Sequence, residues 1–279
     1  MTPRFVAVLL LLGSAGWTLS AHAEQKPLFE YGIGAGAAVL PDYTGSDESR
    51  VYPGPVPYVV YRGKFLKADR DGVRTELFNR KYAELSVSAG GSLPVNSDDN
   101  DAREGLPDLK PTLELGPALE LHLWRSKNEK IKLDLDIPVR LPVTVESSPR
   151  SIGVVVAPRL SLDVADFAGY EGWDFGFSVG PNYADSKYHD YFYEVAPRFA
   201  TADRPAFDAG GGYSSTAVLT AISKRFPKYW IGAFLRYENL KGATYEDSPL
   251  VKRQSAVVAG IGFAVIIGRS KRTVEVDDE

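Results

Sequence analysis

An all-β fold is what this sequence predicts: an antiparallel transmembrane β-barrel of the outer-membrane type, with about 12 strands. Three observations lead there. The N-terminus reads as an export signal, with Arg4 ahead of the apolar run FVAVLLLLGSAGW and an A-x-A cleavage site at Ala21-His22-Ala23. Segment after segment then alternates apolar with polar or small residues, the period of a strand whose two faces meet different surroundings. The chain also contains no cysteine, so neither disulfides nor thiolate metal sites hold it together. The organisation expected is a signal peptide at 1–23 and a single barrel domain at 24–279, ending in a short charged tail at 269–279.

Composition agrees with strands. The sequence holds 26 Gly, 15 Tyr and 13 Phe against one Met, which suits strands and tight turns better than helices. A net charge of −4 carries no nucleic-acid footprint. After the signal, no apolar run approaches the roughly 18 residues of a membrane helix.

The strands follow in order. YGIGAGAAV (31–39) sets glycines against Ile and Ala, PYVVY (57–61) follows, and FLKADRDGVRTEL (65–77) reads as one strand or two. YAELSVSAG (82–90) opposes Leu85 and Val87 to Glu84 and Ser86. TLELGPALELHLW (112–124) puts Leu113, Leu115 and Leu119 on one face and Glu114, Glu120 and His122 on the other. The strictest case is IKLDLDIPVRL (131–141), where Leu133, Leu135 and Val139 are expected to face lipid and Lys132, Asp134, Asp136 and Arg140 the interior. SIGVVVAPRLSLD (151–163), WDFGFSVG (173–180), YFYEVAP (191–197), YSSTAVLTAIS (213–223), YWIGAFLRYE (229–238) and SAVVAGIGFAVII (255–267) complete the set. No helical periodicity of useful length appears.

A soluble sandwich would alternate too, but its strands usually run five or six residues, whereas these match a tilted bilayer crossing. Aromatics near strand ends, at Tyr82, Trp124, Trp173, Tyr229 and Trp230, suit the headgroup level. Counting 65–77 once gives the even number that two periplasmic termini require. The connections SKNE, NRK and FPK are tight, while 92–111 and 241–253 are long and polar, as exposed loops are. The inward face carries both signs: Glu114, Glu120, Lys132, Asp134, Asp136, Arg140, Arg159, Asp163, Glu194, Arg198, Arg236 and Glu238. Such a lumen is expected to pair its charges and to be plugged rather than open.

Little in the sequence points to chemistry. His122 and His189 are the histidines left after processing, and no serine is tied by spacing to either. A G-x-S-x-G elbow, an H-E-x-x-H helix and a calcium loop are all missing from the pattern. SDDNDARE (97–104) reads as a solvated acidic loop, and Gly32, Gly34 and Gly36 share a strand face rather than forming a nucleotide fingerprint. No catalytic, cofactor-binding or metal-binding residue is therefore assigned, and no cofactor is expected.

Several stretches carry a resemblance. Pro41, Tyr43, Gly45, Ser46 and Asp47, then Pro55, Pro57 and Tyr58, lie in the first hairpin; Arg204, Pro205, Gly211, Gly212, Tyr213 and Ser214 come later, followed by Tyr237, Leu240, Gly242, Asp247, Ser248, Pro249 and Leu250. Together they resemble the outer-membrane MltA-interacting (MipA/OmpV) family. The resemblance implies a non-enzymatic scaffold in the Gram-negative outer membrane, between a lytic murein transglycosylase and a murein synthase. A porin-like channel or a surface adhesin is the alternative, with the 92–111 loop as the adhesin's best feature. The partners implied are outer-membrane lipid and those periplasmic murein enzymes; the tail at 269–279 is a candidate contact. One departure stands out: the last strand runs into GRSKRTVEVDDE instead of ending on an aromatic residue.

Overall fold

The computed structural model of the chain describes residues 24–62, 66–69, 72–75, 78–80 and 82–276. The expected signal peptide lies outside the described residues, as do 277–279. The strands are β1 (Glu24–Pro27), β2 (Phe29–Pro41), β3 (Ser49–Arg62), β4 (Leu66–Asp69), β5 (Gly72–Thr75), β6 (Phe78–Arg80), β7 (Ala83–Ser92), β8 (Thr112–Arg125), β9 (Ile131–Thr144), β10 (Val155–Val156), β11 (Arg159–Val164), β12 (Trp173–Ala184), β13 (Gly212–Arg225), β14 (Tyr229–Asn239), β15 (Ser255–Arg269) and β16 (Thr273–Val276). Among the described residues one α-helix, α1, spans Ser186–Tyr193.

Apart from β1 and β16, which pair with each other, the strands form one antiparallel sheet. Its order is β5-β4-β3-β2-β15-β14-β13-β12, then β10 and β11 in series, then β9-β8-β7-β6. The outermost strand β5 lies beside β7, so the sheet curls back on itself. The architecture is a mostly antiparallel sheet of outer-membrane type.

The alternation decides which way each side chain points. On the outer face Ile33 is 57% and Ile261 69% exposed, and Leu115, Leu141, Leu235 and Val265 are exposed with them. A continuous apolar belt of this kind is lipid-facing surface, not a misplaced core. On the inner face Glu84, Glu114 and Asp134 are buried, as is Glu238. Where the inner face must be thin, glycine supplies it: a Cβ on Gly34 would run into the Phe263 carbonyl of β15. Trp230 points inward too, its ring 6.4 Å from that of Tyr58, so it is not the outward headgroup anchor expected of it.

Sequence PGPVP (53–57) shapes one edge. β3 pairs with β2 along its whole length, but only Tyr61 and Arg62 pair with β4. Pro53, Pro55 and Pro57 fall on alternate residues, so the missing N–H groups all belong to one side of the strand. The uninterrupted ladder with β2 places that side at the unpaired edge, where proline blunts further pairing.

Two expected strands and the expected tail are corrected. Segment 191–197 is the end of α1 and the turn after it, because Tyr188, His189, Phe192 and Tyr193 repeat at helical spacing and Asp185 caps the helix by accepting from Tyr188 N. Glu194 and Arg198, expected in the lumen, are therefore exposed in a loop. Segment 151–163 breaks into β10 and β11 around Ala157-Pro158, where proline cannot donate to the ladder. The tail does not hang free: Thr273–Val276 pairs with Glu24–Pro27.

Candidate functional site

The two ends of the sheet are built differently. At one end the connections are short, at 126–130, 165–172 and 226–228, and the β1–β16 ribbon lies there beside the start of β2 and the end of β15. At the other end five longer connections converge: 42–48, 93–111, 145–154, 185–211 and 240–254. Their side chains form the largest buried apolar cluster, including Tyr43, Leu109, Ile152, Phe192, Tyr193, Val195, Leu240, Tyr245 and Leu250. These loops are a cap.

Hydrogen bonds sew the cap from loop to loop. Tyr43 donates to the Leu250 carbonyl at 2.7 Å and Tyr193 to the Thr44 carbonyl at 2.9 Å. Ser248 donates to the Tyr193 carbonyl at 2.8 Å, and Asn100 Nδ2 donates to Asp42 Oδ2 at 2.9 Å. Arg103, only 4% exposed, donates Nη1 to the Phe192 carbonyl at 2.9 Å, Nη2 to the Pro107 carbonyl at 3.0 Å and Nε to Ser97 Oγ at 3.2 Å. Its guanidinium also stands 5.7 Å from the Tyr43 ring centre, and burial holds its pKa below the ordinary value. The acidic loop at 97–104 is thus part of a packed cap rather than a loose solvated segment.

His189 lies at the centre of the cap with no solvent exposure. Its Nδ1 is 2.7 Å from the Gly210 carbonyl, and its Nε2 is 2.7 Å from Ser214 Oγ. The carbonyl can only accept, so Nδ1 carries the proton and Nε2 accepts from the serine. Burial pushes the imidazole pKa down, which keeps it neutral. The structure therefore ties a serine to His189, where spacing suggested none. That pair has a carbonyl in place of an acid, Ser214 is buried, and Tyr245 packs edge-on to the imidazole at 4.8 Å. This is a structural knot. Its sequence signal was the helical spacing of Tyr188, His189, Phe192 and Tyr193 behind Asp185.

Below the cap the inner face pairs its charges. Arg140 Nε is 3.1 Å from Glu114 Oε2, Arg159 Nε is 3.1 Å from Asp136 Oδ2, and Arg236 Nη2 is 2.6 Å from Glu238 Oε1. Arg225 of β13 reaches Glu30 of β2. Tyr188 Oη joins cap to wall by donating to Glu114 Oε1 at 3.2 Å. His122, the other histidine, stands near the short-turn end with Asp134 and Arg125.

The family model for MltA-interacting protein MipA matches residues 33–266. The chain belongs to the MipA family. The chain is accordingly an outer-membrane protein of the Gram-negative envelope. Outer membrane protein OmpV of Vibrio cholerae serotype O1 is 22% identical over 207 residues, covering 73% of this chain and 74% of that protein. Outer membrane protein Omp26La of Vibrio anguillarum is 21% identical over 207 residues, with the same coverage. Among solved structures, an outer membrane channel from Pseudomonas putida F1 aligns over 89% of this chain and 98% of its own, at 13% identity and TM-score 0.46. Outer membrane phospholipase A from Escherichia coli aligns over 86% and 94%, at 12% identity and TM-score 0.34.

Proposed function

We propose that this MipA-family chain is a non-enzymatic scaffold that presents its short-turn end to murein-processing enzymes, a lytic transglycosylase and a murein synthase, in the periplasm. The observation that carries this reading is the contrast between the ends. The long-loop end is closed by a packed cap, while the β1–β16 ribbon and the short turns stand at the other, the side where outer-membrane barrels place their termini and short turns. The family's description, an MltA-interacting protein, supports the class of partner. Export by residues 1–23 delivers the chain to that compartment.

In the same reading the sheet closes as a barrel through its shortest strands. β4 pairs antiparallel with the end of β3, β5 pairs with β4, β6 pairs with β7, and β5 lies beside β7. Taking β5 with β6 and β10 with β11 as single wall positions, and leaving the β1–β16 ribbon outside, gives about 12 strands.

Photo-crosslinking in cells from Lys271, between β15 and β16, is the test. Recovery of a murein synthase or lytic transglycosylase above a control barrel supports the scaffold; recovery of neither overturns it. A channel reading requires a continuous wet path, which the cap and the paired charges oppose. A steady ohmic pore in planar bilayers would favour the channel instead.

A further inference from the structure

We propose that the inner wall near the short-turn end holds a binding site for a divalent transition-metal ion, formed by Glu120, His122 and Asp134. Glu120 and His122 project inward from β8, and Asp134 lies directly opposite His122 on β9. His122 Nδ1 is 3.1 Å from Asp134 Oδ1 and 3.6 Å from Glu120 Oε1. One ligand atom from each of the three falls within 4.8 Å of the other two. Ligands about 2.1 Å from a tetrahedral ion stand about 3.4 Å apart, close to the 3.1 and 3.6 Å of the two His122 contacts.

A cationic side chain already sits on the cluster's lone pairs. Arg125 Nη2 sits 2.8 Å from His122 Nδ1 and 2.6 Å from Asp134 Oδ1. If Nδ1 accepts from Arg125, its lone pair also faces the Asp134 carboxylate at 3.1 Å. If Nδ1 carries a proton for Asp134, that proton opposes the guanidinium. The first arrangement satisfies Arg125: its two Nη2 protons serve the imidazole nitrogen and the carboxylate oxygen together, so both lone pairs converge on the guanidinium. A metal ion at the guanidinium's position would take the same two lone pairs, with Glu120 Oε1, 3.6 Å from Nδ1, as a third ligand. Arg125 thus occupies the ion's place.

A second observation points the same way. Glu84 is the inward residue directly across from Glu120 on β7, it is 6% exposed, and its Oε1 has no hydrogen-bond partner. On the far side Asp136, opposite Glu120 on β9, is held by Arg159 and by Ser161 Oγ at 2.6 Å. A buried carboxylate oxygen with no donor, one strand from a converging imidazole and two carboxylates, suits an added cation. One imidazole with carboxylates favours borderline ions such as Zn²⁺ or Cu²⁺ over Mg²⁺ or Ca²⁺. The site lies beside the 126–130 turn, and the side chains of His122 and Glu120 keep 19% and 15% of their accessibility, so a hydrated ion can enter from the short-turn side.

The test uses untagged full-length mature protein, refolded in detergent and stripped of metal, with its fold checked by heat-modifiable mobility. Titrated with Zn²⁺, it should bind one ion saturably, and His122→Ala or Asp134→Asn should weaken that binding at least about tenfold. With Cu²⁺, electron paramagnetic resonance should show coupling to one imidazole nitrogen, lost in His122→Ala. Arg125→Ala should bind Zn²⁺ more tightly than the wild type, since the competing guanidinium is gone. Absence of saturable binding, binding unchanged in His122→Ala, or weaker binding in Arg125→Ala would each overturn the site.

Discussion

The long-loop cap and the short-turn end are made from the same chain, yet they are held by opposite means. The cap buries Tyr43, Phe192, Tyr193, Leu240 and Leu250 in a small core of its own, with Arg103 and His189 locked inside it. The short-turn end has little such core: a cluster of Tyr58, Val60 and Ala264 under Trp230 and Ile266, then ion pairs. A sheet whose outer face meets lipid cannot bury apolar surface there, so apolar packing moves to whichever end has enough chain to fold over. What is left at the other end is polar and reachable. That asymmetry turns a wall into a molecule with one closed side and one presenting side.

The largest effect should come from removing the charge inside the cap. Arg103→Ala takes away three donors at once and leaves the Phe192 and Pro107 carbonyls without them, which should cost cap stability about 3–5 kcal/mol. Protease cleavage within 93–111 and 185–211 is the readout, while the sheet keeps its heat-modifiable mobility. If those loops stay resistant, the cap is not held as described.

Leu240→Ala should follow, at about 2–5 kcal/mol for a fully buried leucine. Alanine at Lys127 in the short turn should change stability by less than about 0.5 kcal/mol. Hydrogen exchange of the loop amides compares the two directly, and equal effects would erase the contrast between the ends.

Position along the wall grades the third outcome. Val139 sits in the middle of β9, whereas Leu133 is two residues from its short-turn end. Arginine at Val139 should therefore cost about 2–4 kcal/mol and arginine at Leu133 about 0–1 kcal/mol. Reversible unfolding in lipid vesicles reads both, and the opposite order would mean that the sheet sits at another depth.

The smallest effect is that of pH. Burial lowers the His189 pKa, so the opened cap binds more protons than the closed one under mildly acidic conditions. His189's contribution is full above about 6.5, its unfolded value, and is lost as pH falls from there through the depressed value. Asp190, whose pKa burial raises, works in the reverse sense: its contribution is present at low pH and fades as pH climbs through the carboxylate range. Loop proteolysis at pH 7.5 and 5.5 should show the cap loosening at the lower value; unchanged protection would mean that His189 does not report on closure.

Much of the wall was legible in the sequence because strand alternation is local. IKLDLDIPVRL alone places Asp134 inward and Val139 outward, and the structure agrees because neighbouring strands in register give each residue the same two surroundings. The strand expected at 191–197 overlaps the end of the helix at 186–193, since eight residues hold barely two turns and YFY carries strong β-propensity on its own. The Ser214–His189 pair was invisible for a different reason: 25 residues separate its members, and a loop's return path is not written in any period. The cluster of Glu120, His122 and Asp134 sits between. Its members lie on two strands whose faces were read correctly, but only the register across β8 and β9 sets imidazole against carboxylate.

By itself the sequence determined the strand-rich wall, the family and the direction in which wall side chains such as Asp134 and Val139 point, because each depends on residues close together in the chain. Only the tertiary structure decided that five loops fold into one cap, that the charged tail pairs with the start of the described chain, and that Arg125 lies between His122 and Asp134. Those outcomes depend on which distant segments meet, and the partners are chosen by burial and hydrogen bonding once the sheet has brought them to the same end.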